Sequence, residues 1–391
     1  MLIAISTTNG LDPVFKGITN AGVSGMPSNL DVGEILEQEG ERYLPLVHHI
    51  LKRSNPVLPI PGEDRGRIRE LRLMIVRRNA LLFDELGKVT KAFNDAGIEV
   101  ILLKGAMMEG IYPAGLRPFT DIDLLVRGQK VAEALKVLAA LGYSTDAPQF
   151  LPGVGDLRCE GHCVKNGSVC IQMDLHWALS PLYPYSYRVE VEGLWQRAKR
   201  ANVAGIDALV LSPEDSLLHL CLHLLHHCQD GWLASCCDIA ELANHYEGRI
   251  DWEAFISRTF EFKVCLPVRY SLQKSFELFH PPIPIWLLDE LGAYDPDKAE
   301  RRIFALLDEP DDELLQGGRY FARLMAIPGT TRKLRYIRSL LFPSPDILVN
   351  RYHSAYPKFL PLYYLLHLNE AFLMALKTLI GFAFRGKKST P

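Results

Sequence analysis

The sequence predicts an α+β fold, a mixed sheet flanked by helical N- and C-terminal portions. Three observations carry that prediction. Short strand-like runs at 98–103, 121–126 and 158–177 are separated by longer stretches of helical period at 67–97 and 131–141. Beyond Leu211 the pattern turns helical and stays so, broken by prolines. At 391 residues the chain exceeds one typical domain. It divides into an arm and helical preface at 1–65, a sheet-bearing domain at 66–205, and a helical domain at 206–391.

Taken in order, residues 1 to about 30 are rich in Gly, Ser, Asn and Thr and read as a loosely ordered arm. Apolar residues recur at helical spacing from Val32 to Lys52, until Pro56, Pro59 and Pro61 break the chain. Arg67 to Gly97 carries a broad apolar face, and its arginines read as a solvated face. Asp95-Ala-Gly97 is a C-cap signal. The apolar strand to Leu103 leads through Lys104-Gly105 into a short helical stretch, Ala106 to Ile111. A helix from Val131 to Leu141 and a loop with Pro148 and Pro152 precede two strands joined by Asn166-Gly167, the strongest short hairpin signal. Ser212-Pro-Glu-Asp215 starts a helix, with Ser as N-cap and Pro in its first turn.

Composition sets limits on function. Net charge is −3 and pI about 6.5, so no overall electrostatic footprint favours nucleic acid. Eight cysteines form no C-x-x-C pair, which suits reduced thiols in a cytoplasm. Phe359 to Phe384 is strongly apolar, but His367, Asn369, Glu370 and Lys377 interrupt it, so packing is expected in place of membrane insertion.

The chemistry concentrates at Asp121 and Asp123. In a strand of period two they share one face, where they repel unless a divalent cation such as Mg²⁺ sits between them. Asp174, on a strand face with Gln172 and His176, is the candidate third carboxylate. Gly105 lets the backbone approach a ligand, the amides at Gly105 and Ala106 attract phosphate oxygens, and Lys104 and Arg117 add positive charge. Cys159, His162 and Cys163 suggest zinc superficially, but in an extended strand 162 points away from the other two, so structural thiols are expected. His219, His223, His226 and His227 fall along one helical stripe. They either line the cleft opposite the carboxylates, which is the preferred reading, or pack, or bind a metal.

The stretch Leu103-Lys-Gly-Ala … Tyr112-Pro … Leu116-Arg117 … Thr120-Asp-Ile-Asp-Leu-Leu-Val126, followed by Met173-Asp-Leu-His-Trp177, resembles the uncharacterised branch of the DNA polymerase β-like nucleotidyltransferase superfamily. The resemblance implies a polymerase β-like domain at 66–205 that moves an NMP from an NTP to an acceptor. It implies two Mg²⁺ ions held by Asp121, Asp123 and Asp174. Lys104, Gly105, Ala106, Arg117, His176 and His223 would complete the nucleotide-binding set, and the helix carrying Asp238 would lie beside it. The acceptor stays open among small molecules, peptides, proteins and RNA ends. A γ-phosphoryl-transferring kinase and a silent nucleotide-binding scaffold are the alternatives. Lys-Gly-Ala replaces the superfamily's usual Gly-Ser turn.

Overall fold

The computed structural model describes residues 41–53, 62–145, 159–225 apart from 181, 182 and 187, then 232–296, 329–343 and 359–385, with 300, 301, 304, 324 and 348. The N-terminal arm, the loop with Pro148 and Pro152, and His226 and His227 lie outside these residues.

Helix α1 is Leu44–Arg53 and α2 is Gly62–Asp95. Strand β1 is Ile101–Leu102, followed by the short helix α3, Lys104–Met107, and by β2, Ile122–Leu125. Then come α4 (Val131–Ala140), β3 (Ser144–Thr145), β4 (Glu160–Lys165), β5 (Ile171–His176) and α5 (Val191–Arg197). Strands β6 (Lys199–Val203) and β7 (Ile206–Val210) complete a seven-stranded mixed sheet of order β3-β4-β5-β2-β1-β7-β6. Among the described residues the longer helices that follow are α6 (Pro213–Leu224), α7 (Trp232–His245), α8 (Trp252–Glu261), α9 (Cys265–Phe279), α10 (Ile285–Ala293), α11 (Thr330–Leu341) and α12 (Leu360–Arg385).

Each face of the sheet is covered by its own set of helices. Ile122, Leu124, Met173 and Leu175 meet Leu82, Leu86, Val89 and Phe93 of α2 and Val131, Ala134 and Leu138 of α4. On the other side Ile101, Leu103 and Leu125 join one apolar core with α6 to α10. Helix α6 lies at its centre, and nearly every residue from Glu214 to Leu224 is buried. Its start is as expected, since Ser212 accepts from the Asp215 amide and Pro213 stands in the first turn. Gly97, at φ +67°, lets α2 end in the left-handed conformation.

Three expectations are corrected. The hairpin β6–β7 has no counterpart among the expected strands. The β4–β5 connection is not a two-residue turn: Lys165 pairs with Ile171, so residues 166–170 form the loop. Neither Asn166 nor Gly167 has the positive φ that a tight Asn-Gly turn requires. Helix α12 forms, but Leu362, Leu365, Leu366, Phe372, Leu373 and Leu376 are exposed rather than packed. It is held to α11 and the residues after it by polar contacts, with Tyr364 donating to the Pro343 carbonyl and His367 against the Leu340 carbonyl. Among the described residues no helix is long and apolar enough to cross a membrane.

Candidate active site

Register builds the site. Strands β2 and β5 run parallel, with Asp123 opposite Asp174 and Leu125 opposite His176; β4 runs antiparallel to β5, with His162 opposite Asp174 and Glu160 opposite His176. Two adjacent rungs of one sheet face therefore carry Asp123-Asp174-His162 and His176-Glu160. One ligand atom each from Asp123, Asp174 and His176 lie within 4.8 Å of one another, the metal-capable cluster among the described residues.

Asp123 is fully buried. Its Oδ1 lies 2.6 Å from Lys104 Nζ and 2.9 Å from His176 Nε2. Its Oδ2 is buried without a hydrogen-bond partner, an arrangement that costs free energy unless something positive meets it. Burial by itself would raise the Asp123 pKa, but Lys104 and then His176 outweigh it and hold the carboxyl well below the usual range. Burial likewise opposes charge on Lys104, yet Asp123 and Asp121 keep its pKa above the ordinary value. Asp121 is shifted upward by burial and next by the Asp123 charge. It stands just before β2, accepts from Thr120 Oγ1 at 2.9 Å, and is not part of the cluster within 4.8 Å.

The outer partners complete the arrangement. His162 Nδ1 lies 2.6 Å from Asp174 Oδ1 and is half-exposed. His176 Nδ1 is 3.1 Å from Glu160 Oε2, an ion-pair distance without hydrogen-bond alignment. Burial raises the Glu160 pKa, against the pull of His176. His219 on α6 is fully buried with Nδ1 at 2.9 Å from the Leu179 carbonyl. Burial, then the Lys104 charge, push its pKa down to about 3, so it is neutral at neutral pH. His223 stacks on it with ring centroids 6.0 Å apart.

Several side chains expected at the phosphates have other contacts. Lys104 does not project from the turn: its φ of +38° turns it inward, where the buried Asp123 charge attracts it. A Cβ at Gly105 would fall 2.5 Å from Phe119 Cδ2, so the glycine makes room for an aromatic ring. Ala106 is a core residue. Arg117 donates Nε and Nη2 to Asp238 and Nη1 to the Pro118 carbonyl, and Asp238 also receives Tyr112 Oη at 2.9 Å. Helix α3 is only four residues long. Of Cys159, His162 and Cys163, the histidine faces Asp174 while both cysteines are buried, Cys163 in the core under the other face of the sheet. Glu160 and the pairing of His162 with Asp174 escaped sequence reading because only the true hairpin register reveals them.

The description of an uncharacterised nucleotidyltransferase family matches residues 39–280, more than half of the chain. The chain belongs to that family. Its matched segment contains the whole sheet, the carboxylate cluster and α6 to α9. Among solved structures it is similar to an antigenic nucleotidyltransferase-like protein from Paracoccidioides brasiliensis, at 13% identity and a TM-score of 0.33, covering 50% of this chain and 92% of that one. No curated protein matches the chain.

Proposed function

We propose that the chain is a divalent-cation-dependent nucleotidyltransferase that moves an NMP from an NTP to an acceptor hydroxyl or phosphate and releases pyrophosphate. One observation carries this reading: the buried, unpartnered Asp123 Oδ2 stands beside an in-register Asp174 and His176. That donor set suits a divalent cation, with two hard carboxylate oxygens and one imidazole nitrogen. Asp123, Asp174 and His176 would hold it, with Asp121 at the rim. When bound, Mg²⁺ would neutralise phosphate oxygens and activate the acceptor.

The chain's own residues supply the rest. Asp174 accepts the acceptor's proton, and His162 orients that carboxylate through its hydrogen bond at 2.6 Å. The acceptor oxygen bonds to the α-phosphorus as the bond to the β-phosphate bridging oxygen breaks, and the electron pair leaves with pyrophosphate. Lys104 keeps Asp123 ionised. The catalytic unit extends through β7 to Val210, and α6 brings the neutral His219 within the field of Lys104 and His176. A cytoplasmic setting belongs to the same proposal, because the described cysteines carry no disulfide.

The test is incubation of the full chain with Mg²⁺, cell extract, and each NTP labelled at the α- or the γ-phosphorus. Transfer of α-label with pyrophosphate release is expected. Transfer of γ-label alone would make the protein a kinase, and transfer of neither would favour a binding role.

A further inference from the structure

Lys104 is held in the carboxylate cluster by more than its charge. Its side chain is 9% exposed and its φ is +38°, a conformation that a residue other than glycine keeps only where its surroundings impose it. Two neighbours impose it here. The Leu103 amide donates to the Asp123 carbonyl at 3.1 Å, continuing the β1–β2 ladder to the residue before the turn. The Phe119 ring then packs on Gly105, the residue after it. Between these anchors the lysine has one direction to go, and its ammonium meets Asp123 while its field reaches Asp121 and Asp174.

Taking the site as that of a metal-dependent transferase, as proposed above, we propose that the Lys104 ammonium replaces one of the two divalent cations that the superfamily resemblance implies. The cluster of Asp123, Asp174 and His176 then takes a single divalent ion. A second ion bridging Asp121 and Asp123 needs an Asp123 oxygen. Oδ1 already faces the ammonium and the imidazole, and Oδ2 is the one oxygen of that carboxylate left for the first ion. A divalent cation and an ammonium on the same buried oxygen repel each other strongly, because little solvent screens them. The resident charge also explains how Asp123 stays ionised in a closed site before any ion arrives. Lys104 is thus a positioning residue, acting through Asp123 and not on the triphosphate.

The test counts Mn²⁺ bound to the full chain by electron paramagnetic resonance, alongside circular dichroism to verify folding. Wild type is expected to bind one ion per chain with a mononuclear spectrum. Lys104→Met is expected to bind two, with the broadened spectrum of an exchange-coupled pair. Asp121→Asn, which leaves the lysine in place, is expected to keep the single ion, whereas Asp174→Asn loses it. Two ions on wild type, no ion on wild type, an unchanged count in a folded Lys104→Met protein, or loss of the ion in Asp121→Asn would each overturn the proposal. If Lys104→Met does not fold, the wild-type count and the Asp121→Asn count decide. The labelled-NTP assay separates this idea from the functional reading beneath it. Transfer by an enzyme with two ions removes only the lysine's role, and one ion without transfer removes only the transferase.

Discussion

Asp123 and Asp215 are both fully buried, yet they are satisfied in opposite ways. Asp215 has both oxygens engaged: Oδ2 takes Arg197 Nε at 2.7 Å and Ser212 Oγ at 3.1 Å, and Oδ1 takes Arg197 Nη2 at 3.1 Å and Arg258 Nη1 at 3.0 Å. It ties the start of α6 to α5 and α8, and nothing about it is left open. Asp123 crowds its partners onto one oxygen and leaves the other bare. A buried carboxylate that serves only the fold has every reason to saturate both oxygens, because an unmet lone pair is costly. The difference is what the proposed function rests on: Asp215 is a clamp, whereas the bare Asp123 oxygen is the one proposed to bind a cation.

The comparison breaks most clearly through Asp123→Asn. The amide removes the negative charge that draws a cation to the cluster, so nucleotidyl transfer should fall by at least about a hundredfold, several kcal/mol of barrier. The circular dichroism spectrum should stay native. Near-normal turnover would show that the bare oxygen serves no chemistry.

Asp215→Ala should do the reverse. It takes Arg197 off its carboxylate and leaves Arg258 to the more distant Glu214 at 3.8 Å, and removing one partner of a buried ion pair typically costs about 3–5 kcal/mol, read as a lower urea midpoint. Cation binding by the folded fraction should persist.

A smaller effect is expected at Arg117. Arg117→Lys keeps the charge but loses the fork on Asp238, costing about 1.5–3 kcal/mol of stability. NTP affinity should be unchanged, measured by titration calorimetry; weaker binding would restore Arg117 to the phosphates.

The smallest effect is at Glu85, whose partners are Lys165 at 2.6 Å, Tyr143 at 3.2 Å and Lys88 at 3.4 Å. Burial opposes its charge, but Lys165 outweighs that and sets its pKa below the ordinary 4.5. A folded-state pKa below the unfolded one contributes stability that is present above about 4.5 and is lost as pH falls through the folded value. Glu85→Gln should therefore flatten the acid limb of the stability–pH curve and leave the neutral-pH activity alone.

Much of this was legible in the sequence because it rests on local periodicity. Asp123 and Asp174 are flanked by apolar residues that must face the core, so their own direction is fixed, and Ser212-Pro213 announces α6 through capping chemistry. What escaped depended on register and on long-range partners. A two-residue Asn166-Gly167 turn would pair Lys165 with Ser168, whereas Lys165 pairs with Ile171. A shift by an odd number of residues exchanges the faces of a strand, so His162 and Glu160 join the site only in the true register. The hairpin β6–β7 hid because its turn uses Ala204 at φ +51° before Gly205 at φ +86°, where asparagine would have been the usual sign. The fate of Lys104 and Arg117 was decided by carboxylates elsewhere in the chain, Asp123 and Asp238, which no local pattern reveals.

The most direct test of Asp123 as the cation-binding group is thermal melting of wild type, Asp123→Asn and Asp215→Ala with and without saturating Mg²⁺. A ligand present at a hundred times its dissociation constant stabilises the folded state by about 2.7 kcal/mol. Wild type and Asp215→Ala should both melt several degrees higher with Mg²⁺, the latter from a lower start, while Asp123→Asn should not respond. An Asp123→Asn protein that Mg²⁺ stabilises as much as wild type would contradict the account.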